Sequence, residues 1–488
     1  MSVAREPLRR IVVAGAGQLG VLAAIGLKRA VPGAEVVVLG LPRDPGALAD
    51  RAVTALPFTN RLHHRLGIAE DDIVSRAQGS HRLVTRYFNW GGRGQSGTVT
   101  YGSDAEPALR SRFAVEWGGG PRNAAGAAFT GSLAEVLADA GRFAVPPSSE
   151  DFDETTPLAD IDYALRWDPE AYRAILVGIA QRLGVVHVAG DLLGVERNAD
   201  GGLAAVAIAE LGLLSADLFI DCSGSGARLL AAMEGYRNMD WQDSLPLRQL
   251  LFAHPQPGMI ALEDRFTLLA EGWIGELAGR DGLRTTMGVA SGVPERSVLQ
   301  ALGAPPEEGL RIVPGRAAMP WIANVVALGD ATARFEPLGH LNLDLAHRQL
   351  DLLLEMLPGM TINPFERNEY NRRSGLMTDA VRDTLAAHYA APLASTVFRP
   401  KPAEGALARQ LDQFTRRGRM PFGEESPLLS AELQALFAAL GHPRGQGPQQ
   451  RAAHGTDSAA ALRAFTARAQ AALAFAPPYA EWITATAR

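Results

Sequence analysis

Cysteine is almost absent from this chain. Cys222 is the only one in 488 residues, which excludes an internal disulfide framework and fits a reducing compartment. Long apolar runs are missing too, since none reaches the ~18 residues of a membrane span. The polar start MSVAREPLRR leads straight into a strand pattern, with no secretory leader. A cytoplasmic protein without a membrane partner is therefore expected. No charge of one sign dominates: 47 Lys and Arg face 53 Asp and Glu, a net charge of −6. No basic stripe offers itself to nucleic acid, and no internal repeat is visible. What remains is an ordinary globular composition, 47% hydrophobic and 20% charged, long enough for two or more lobes.

The most informative stretch is Arg9 to Leu41, RRIVVAGAGQLGVLAAIGLKRAVPGAEVVVLGL. Ile11 to Ala14 and Glu35 to Leu39 are short β-branched apolar runs, as buried parallel strands should be. Between them lie the turn GAGQLG and a helical stretch, Val21 to Val31. Gly15, Gly17 and Gly20 are in G-x-G-x-x-G register: the first makes the tight turn, the second admits a pyrophosphate, and the third lets helix and strand pack. The helix start offers free N–H groups and a positive dipole end to phosphate. We therefore expect a dinucleotide along Gly15, Gly17, Gln18, Leu19 and Gly20. The acid that usually holds the ribose about 20 residues beyond the glycines is lacking. Gly40 stands there, and the nearest acid is Asp44.

Further on, Leu62, Leu66 and Ile73 suggest short amphipathic helices, and Arg82 to Trp90 reads as a strand. His63 and His64 are adjacent, point in different directions, and read as surface residues rather than a metal pair. Residues 118–157 are rich in Gly, Ala, Ser and Pro and read as an insertion or lid with one helix near Gly131 to Ala140. Asp168-Pro169 marks a helix start. Strands alternate to the buried run Leu218 to Cys222, and residues 243–320 read as a sheet covering the site. A strand (Asn324 to Leu328), a Gly329-Asp330 turn and a helix from Asn342 to Leu357 follow. From Pro364 the pattern is helical, interrupted by a Gly/Gln/Pro-rich loop at 441–457. The expected division is a discontinuous nucleotide-binding domain (1–117, 158–242, 310–362), covering segments (118–157, 243–309) and a helical C-terminal region (363–488).

The segments GAGQLG, HRLVTRYFNW, DLFIDCSG, VALGDATARFEPL and NEYNRRSGLMTDAVRDTLAAHYA, in this order and spacing, resemble the flavin-dependent tryptophan halogenase family. The resemblance runs almost end to end. It implies an α/β fold of the para-hydroxybenzoate hydroxylase-like flavin monooxygenase type. A Rossmann-like FAD domain would join a β-sheet substrate domain and a helical C-terminal part. It implies FAD, used as FADH2 with O2 and supplied by a separate flavin reductase. It places Gly329 and Asp330 at the ribityl and pyrophosphate region, and Pro337, Leu338 and Gly339 beside the isoalloxazine.

The chain departs from the family where halogen is handled. Arg82 stands at the position of the family's essential lysine, and a guanidinium is a far poorer nucleophile than an amine. The loop EPLGHLN puts Gly339, His340, Leu341 and Asn342 where the family carries a glutamate and its halide-holding neighbours. The Trp-x-Trp-x-Ile-Pro motif survives only as GWIGELA. The resemblance with these departures implies an FAD-dependent monooxygenase. It would oxygenate an electron-rich, indole-like aromatic or a heteroatom through a flavin C4a-hydroperoxide. His340 would exchange protons near neutral pH, and Arg82 would place negative charge. The plainer alternatives are a structural His340 and a surface Arg82. A divergent halogenase, or a flavoprotein acting on a carrier- or peptide-bound substrate, are the other readings of the same departures.

Overall fold

The computed structural model describes residues 6–102, 132–146, 156–159, 161–421, 423–445 and 458–487. Strand β1 (Arg10–Ala14), helix α1 (Gln18–Ala30) and strand β2 (Glu35–Gly40) form the βαβ unit. Ile11–Ala14 and Val36–Leu39 are wholly buried, because a parallel strand is covered on both faces and β-branched side chains fill that space well. β1 runs centrally, parallel to β2 on one side (Ile11 opposite Val36) and to Leu218–Asp221 on the other (Ile11 opposite Leu218). Val325–Ala327 and Val186–Ala189 extend the sheet in parallel, and Trp321–Ile322 closes one edge antiparallel. Helices Pro169–Arg182 and Leu341–Glu355 pack against α1. Asp168 caps the first of these, its Oδ1 accepting Ala171 N–H at 2.8 Å, with Pro169 in the first turn.

A second, seven-stranded sheet faces the first. Its order is Pro306–Arg311, Gln249–Ala253, Arg284–Val289, Gly272–Leu277, Glu263–Leu268, Val84–Phe88 and Ser96–Thr100. The strand expected over Arg82 to Trp90 is therefore two. Ser80–Arg82 pairs with Ala164–Arg166, the chain turns at Leu83, and Val84–Phe88 runs parallel to Glu263–Leu268 in the large sheet. That break gives Arg82 a different set of neighbours from the rest of the segment. The helix Pro364–Tyr389 buries Met377, Val381 and Leu385 in the core formed with this sheet.

The histidine pair departs from expectation. His64 is exposed, but His63 is buried with Nε2 2.6 Å from Tyr172 Oη. Helix Phe58–Arg65 turns one face inward, and His63 shares that face with Leu62. Of the expected insertion, helix Leu133–Ala140 is described, while 118–131 and 147–155 lie outside the described residues; so do 446–457 of the later loop. Among the described residues, no helix is long and apolar enough to cross a membrane.

Candidate active site

A cleft of about 580 Å³ opens between the two sheets, with the glycine turn at one side and Phe266, Trp273 and Pro337 at the other. Gly15 has φ +115°, and a Cβ there would sit 2.2 Å from Cys222 O; a Cβ on Gly20 would sit 2.0 Å from Gly15 O. Both closures demand glycine, and they hold the turn open to the cleft. The segment after β2 lies across this turn as a short helix, α2 (Leu48–Arg51). Gln18 fixes it, donating from Nε2 to Ala49 O (2.8 Å) and Ala52 O (2.9 Å), while its Oε1 accepts Trp167 Nε1–H at 3.0 Å.

Three acids bear on the segment after β2, of which Asp44 and Asp50 line the cleft and Asp330 lies behind it. Asp44 lies at the rim, its Oδ1 accepting Gly46 N–H (2.8 Å) and its Oδ2 accepting Ser225 Oγ–H (2.7 Å), so it clasps the loop after β2 to the loop after Leu218–Asp221. Asp330 is buried, with Oδ2 accepting Ala49 N–H at 2.8 Å, and burial pushes its pKa up to about 8. Its neighbour Gly329 has φ +59° and donates to Gln349 Oε1 at 2.9 Å. The third acid, Asp50, was not legible beforehand. Burial pushes its pKa up to about 6, and Oδ1 accepts Leu19 N–H at 3.0 Å.

Beyond Pro337 the chain turns sharply: Leu338 is buried, and Gly339 and His340 have φ +72° and +65°. His340 is thereby carried inward, to a cluster centred on Asp264. Arg82, fully buried, donates from Nη1 to Asp264 Oδ2 (2.9 Å) and from Nη2 to Ala55 O (2.8 Å), and its guanidinium stands 5.4 Å from the Tyr101 ring centre. Arg166 donates from Nε to Asp264 Oδ1 at 3.0 Å, and Ala278 N–H donates to the same oxygen at 3.1 Å. His340 Nε2 is 3.5 Å from Asp264 Oδ2, without hydrogen-bond geometry.

The expectation that His340 titrates near neutrality is therefore corrected. Burial first, then the nearby Arg82 and Arg166 charges, hold its pKa well below the ordinary value. The nearby carboxylate does not rescue it, being committed to two guanidiniums already. His340 is a neutral imidazole. Arg82 is likewise no surface residue, and neither side chain lines the main cleft. A signal for Asp264 existed: in EDRFTL the alternation buries Asp264 with Phe266 and Leu268, placing a lone acid on an apolar face.

Trp273 is buried, its ring centre 6.1 Å from that of Phe266. A Cβ on Gly275 would lie 2.8 Å from Phe266 Cε1, so the phenyl ring fills the space a second tryptophan of the motif would need. Among the described residues, no group of acids, histidines and cysteine could hold a metal ion.

The chain is similar to known proteins over most of its length. Residues 10–454 match the protein family described as tryptophan halogenase. The chain is 28% identical over 240 residues to 7-chloro-L-tryptophan 6-halogenase KtzR of Kutzneria sp. (strain 744), covering 46% of each chain. It is 24% identical over 430 residues to tryptophan 7-halogenase RebH of Lentzea aerocolonigenes, covering 80% of this chain and 78% of that one. Among solved structures, its fold matches that of Xcc4156, a flavin-dependent halogenase from Xanthomonas campestris. The TM-score is 0.87 at 22% identity over 99% of both chains.

Proposed function

Starting from a chain that belongs to the tryptophan halogenase family, whose cofactor is FAD used as FADH2 with O2, we propose an FAD-dependent monooxygenase. Its substrate class is an electron-rich, indole-like aromatic or a heteroatom, and a separate reductase supplies the reduced flavin. The cleft suits the cofactor on its own geometry. Gly15 and Gly20 close the phosphate turn, and Asp44 and Pro337 line the cleft, whereas Gly329 and Asp330, expected at the flavin, lie buried behind Ala49 and outside the cleft lining. One feature opposes it: the Asp50 carboxylate sits on the turn.

Bound reduced flavin supplies the two electrons that turn dioxygen into an electrophilic oxygen donor. The chain's own part is positioning and exclusion of water. Phe266 and Trp273 wall the cleft with apolar surface, and Pro337 brings the loop to its edge. Behind Phe266, off the cleft, the neutral His340 packs against the ring, and the Arg82–Arg166–Asp264 cluster carries a net positive charge that favours an anion developing in the cleft.

The observation carrying this reading is the Arg82–Asp264 pair. A halogen relay needs an amine with a free lone pair, whereas the guanidinium stays protonated and both terminal nitrogens are bonded. At Gly339 there is no carboxylate to assist such a relay. The test is product mass: FADH2 from a reductase, dioxygen and a panel of indoles, with chloride and bromide present. The expected product gains one oxygen atom, and a chlorine or bromine isotope pattern would overturn it. Halogenation is the second reading, favoured by the family match and by the activities that the relatives' names carry.

A further inference from the structure

We propose that Asp50 is an internal competitor for the dinucleotide phosphate site, so that FAD binds only as α2 moves off the glycine turn. The proposal rests on the reading that FAD occupies this turn. Gly17 is the glycine over which a pyrophosphate would lie, yet a Cβ built there would stand 1.9 Å from Asp50 Oδ2 and 2.1 Å from Cγ. The carboxylate therefore packs flat on the turn. Its other oxygen takes Leu19 N–H, one of the free amides at the start of α1. A phosphate would seek the same amide and the same positive dipole end. The chain's own anion fills the place of the ligand's.

The segment carrying Asp50 is short, and its outer tie is exposed. α2 has four residues and is tied at its far end by Arg51, whose Nη1 and Nη2 donate to Glu308 at 2.9 and 2.7 Å across the cleft mouth. That pair is about one-third exposed, the class of contact that holds weakly. The inner ties are three bonds between a side chain and the backbone, from Gln18 Nε2 to Ala49 O and Ala52 O and from Ala49 N–H to Asp330 Oδ2.

Charge makes the conflict sharper. Arg173 and Arg43 face Asp50 and stabilise its anion, and Asp44 faces it with the opposite effect; Asp330 and the Cys222 thiol, both raised by the Asp50 charge, are protonated where Asp50 titrates. A diphosphate entering beside Asp44 and an ionised Asp50 meets like charge at van der Waals distance. Protonating Asp50 removes that repulsion and loosens its hold on the Leu19 amide. Affinity for FAD should thus rise as pH falls through the range where Asp50 titrates, near 6.

The experiment measures dissociation constants of oxidised FAD and of ADP, by calorimetry and flavin fluorescence, for the full chain and for Asp50→Asn and Asp50→Ala, from pH 5.5 to 8. We expect both variants to bind FAD and ADP roughly tenfold tighter at pH 8, since one unit charge a few ångströms away is removed. The wild-type gain on acidification should be largely lost in Asp50→Asn. Thermal melts of each variant establish that it is folded, and Asp50→Asn, nearly isosteric, serves if Asp50→Ala is not. Equal or weaker binding in the folded variants overturns the competitor. No FAD binding by any form, in any condition, overturns the flavin site itself and the competitor with it.

Discussion

Nη1 of Arg82 lies 2.9 Å from Oδ2 of Asp264, with both side chains fully buried. These residues are separated by 182 positions in sequence and meet because Leu83 N–H, just after Arg82, bonds Leu262 O where the pairing of Val84–Phe88 with Glu263–Leu268 begins. Asp264 also neutralises Arg166, so one carboxylate serves two guanidiniums. Burial makes this arrangement intolerant of losing its centre.

Replacing Asp264 by Asn should therefore destabilise the fold by about 3–5 kcal/mol, the cost of an uncompensated buried charge. Denaturant unfolding of Asp264→Asn against wild type measures it. A loss below about 1 kcal/mol, typical of an exposed pair, would show that the cluster is wetter than its burial indicates.

A second prediction concerns His63, which burial holds neutral with a pKa lowered to about 3 from the ordinary 6.5. The folded state resists protonation while the unfolded state takes a proton below pH 6.5. The unfolded state then binds more protons, and stability falls as pH drops. Between pH 7 and 5 this one residue should cost about 2 kcal/mol, at 1.36 kcal/mol per pH unit below 6.5. In His63→Gln that increment should vanish, so the stability gap between wild type and variant shifts by this amount between the two pH values. Parallel unfolding curves at both pH values would refute it.

The βαβ unit was legible because its signals are local. A β-branched run, three glycines in register and a second run lie within Arg10–Gly40 and specify β1, α1 and β2 without help from elsewhere. Asp168-Pro169 specified a helix start in the same way. The candidate site was only half legible. The positions of Arg82 and His340 could be singled out, but their partners Asp264 and Arg166 come from other strands. Chain position does not encode a tertiary ion pair. The His63 reading failed for a related reason: adjacency shows that two side chains diverge but not which one faces the core. Asp50 gave no signal at all, since only the fold of the segment after β2 brings it onto Gly17.

His340→Ala should slow turnover, by ~10²–10⁴-fold where a proton-transfer group is lost, and should lower the melting temperature, since the ring is buried against Phe266, while leaving flavin content near wild type. The structure adds a condition. Because burial and the guanidiniums of Arg82 and Arg166 hold His340 neutral, the wild-type rate profile between pH 6 and 8 should show no inflection that His340→Ala removes. Full activity in His340→Ala, or loss of an inflection near pH 6.5, would contradict the assignment.

The last prediction returns lysine to position 82. Arg82→Lys keeps a cation beside Asp264 but gives up the forked geometry that also reaches Ala55 O. The ammonium should be drawn to the Asp264 carboxylate, which opposes the proton loss that burial and the Arg166 charge favour and keeps its lone pair occupied. Such an amine cannot take up halogen, and Gly339 still supplies no carboxylate beside it. Arg82→Lys should therefore give no halogenated product in chloride or bromide, and a fold weakened by the lost bond to Ala55, about 1–3 kcal/mol for a buried acceptor left unpaired. Mass spectrometry of products and a denaturant melt read the two outcomes separately. A halogen isotope pattern from Arg82→Lys alone would mean that the ion pair, and not the missing carboxylate, is what separates this chain from its halogenating relatives.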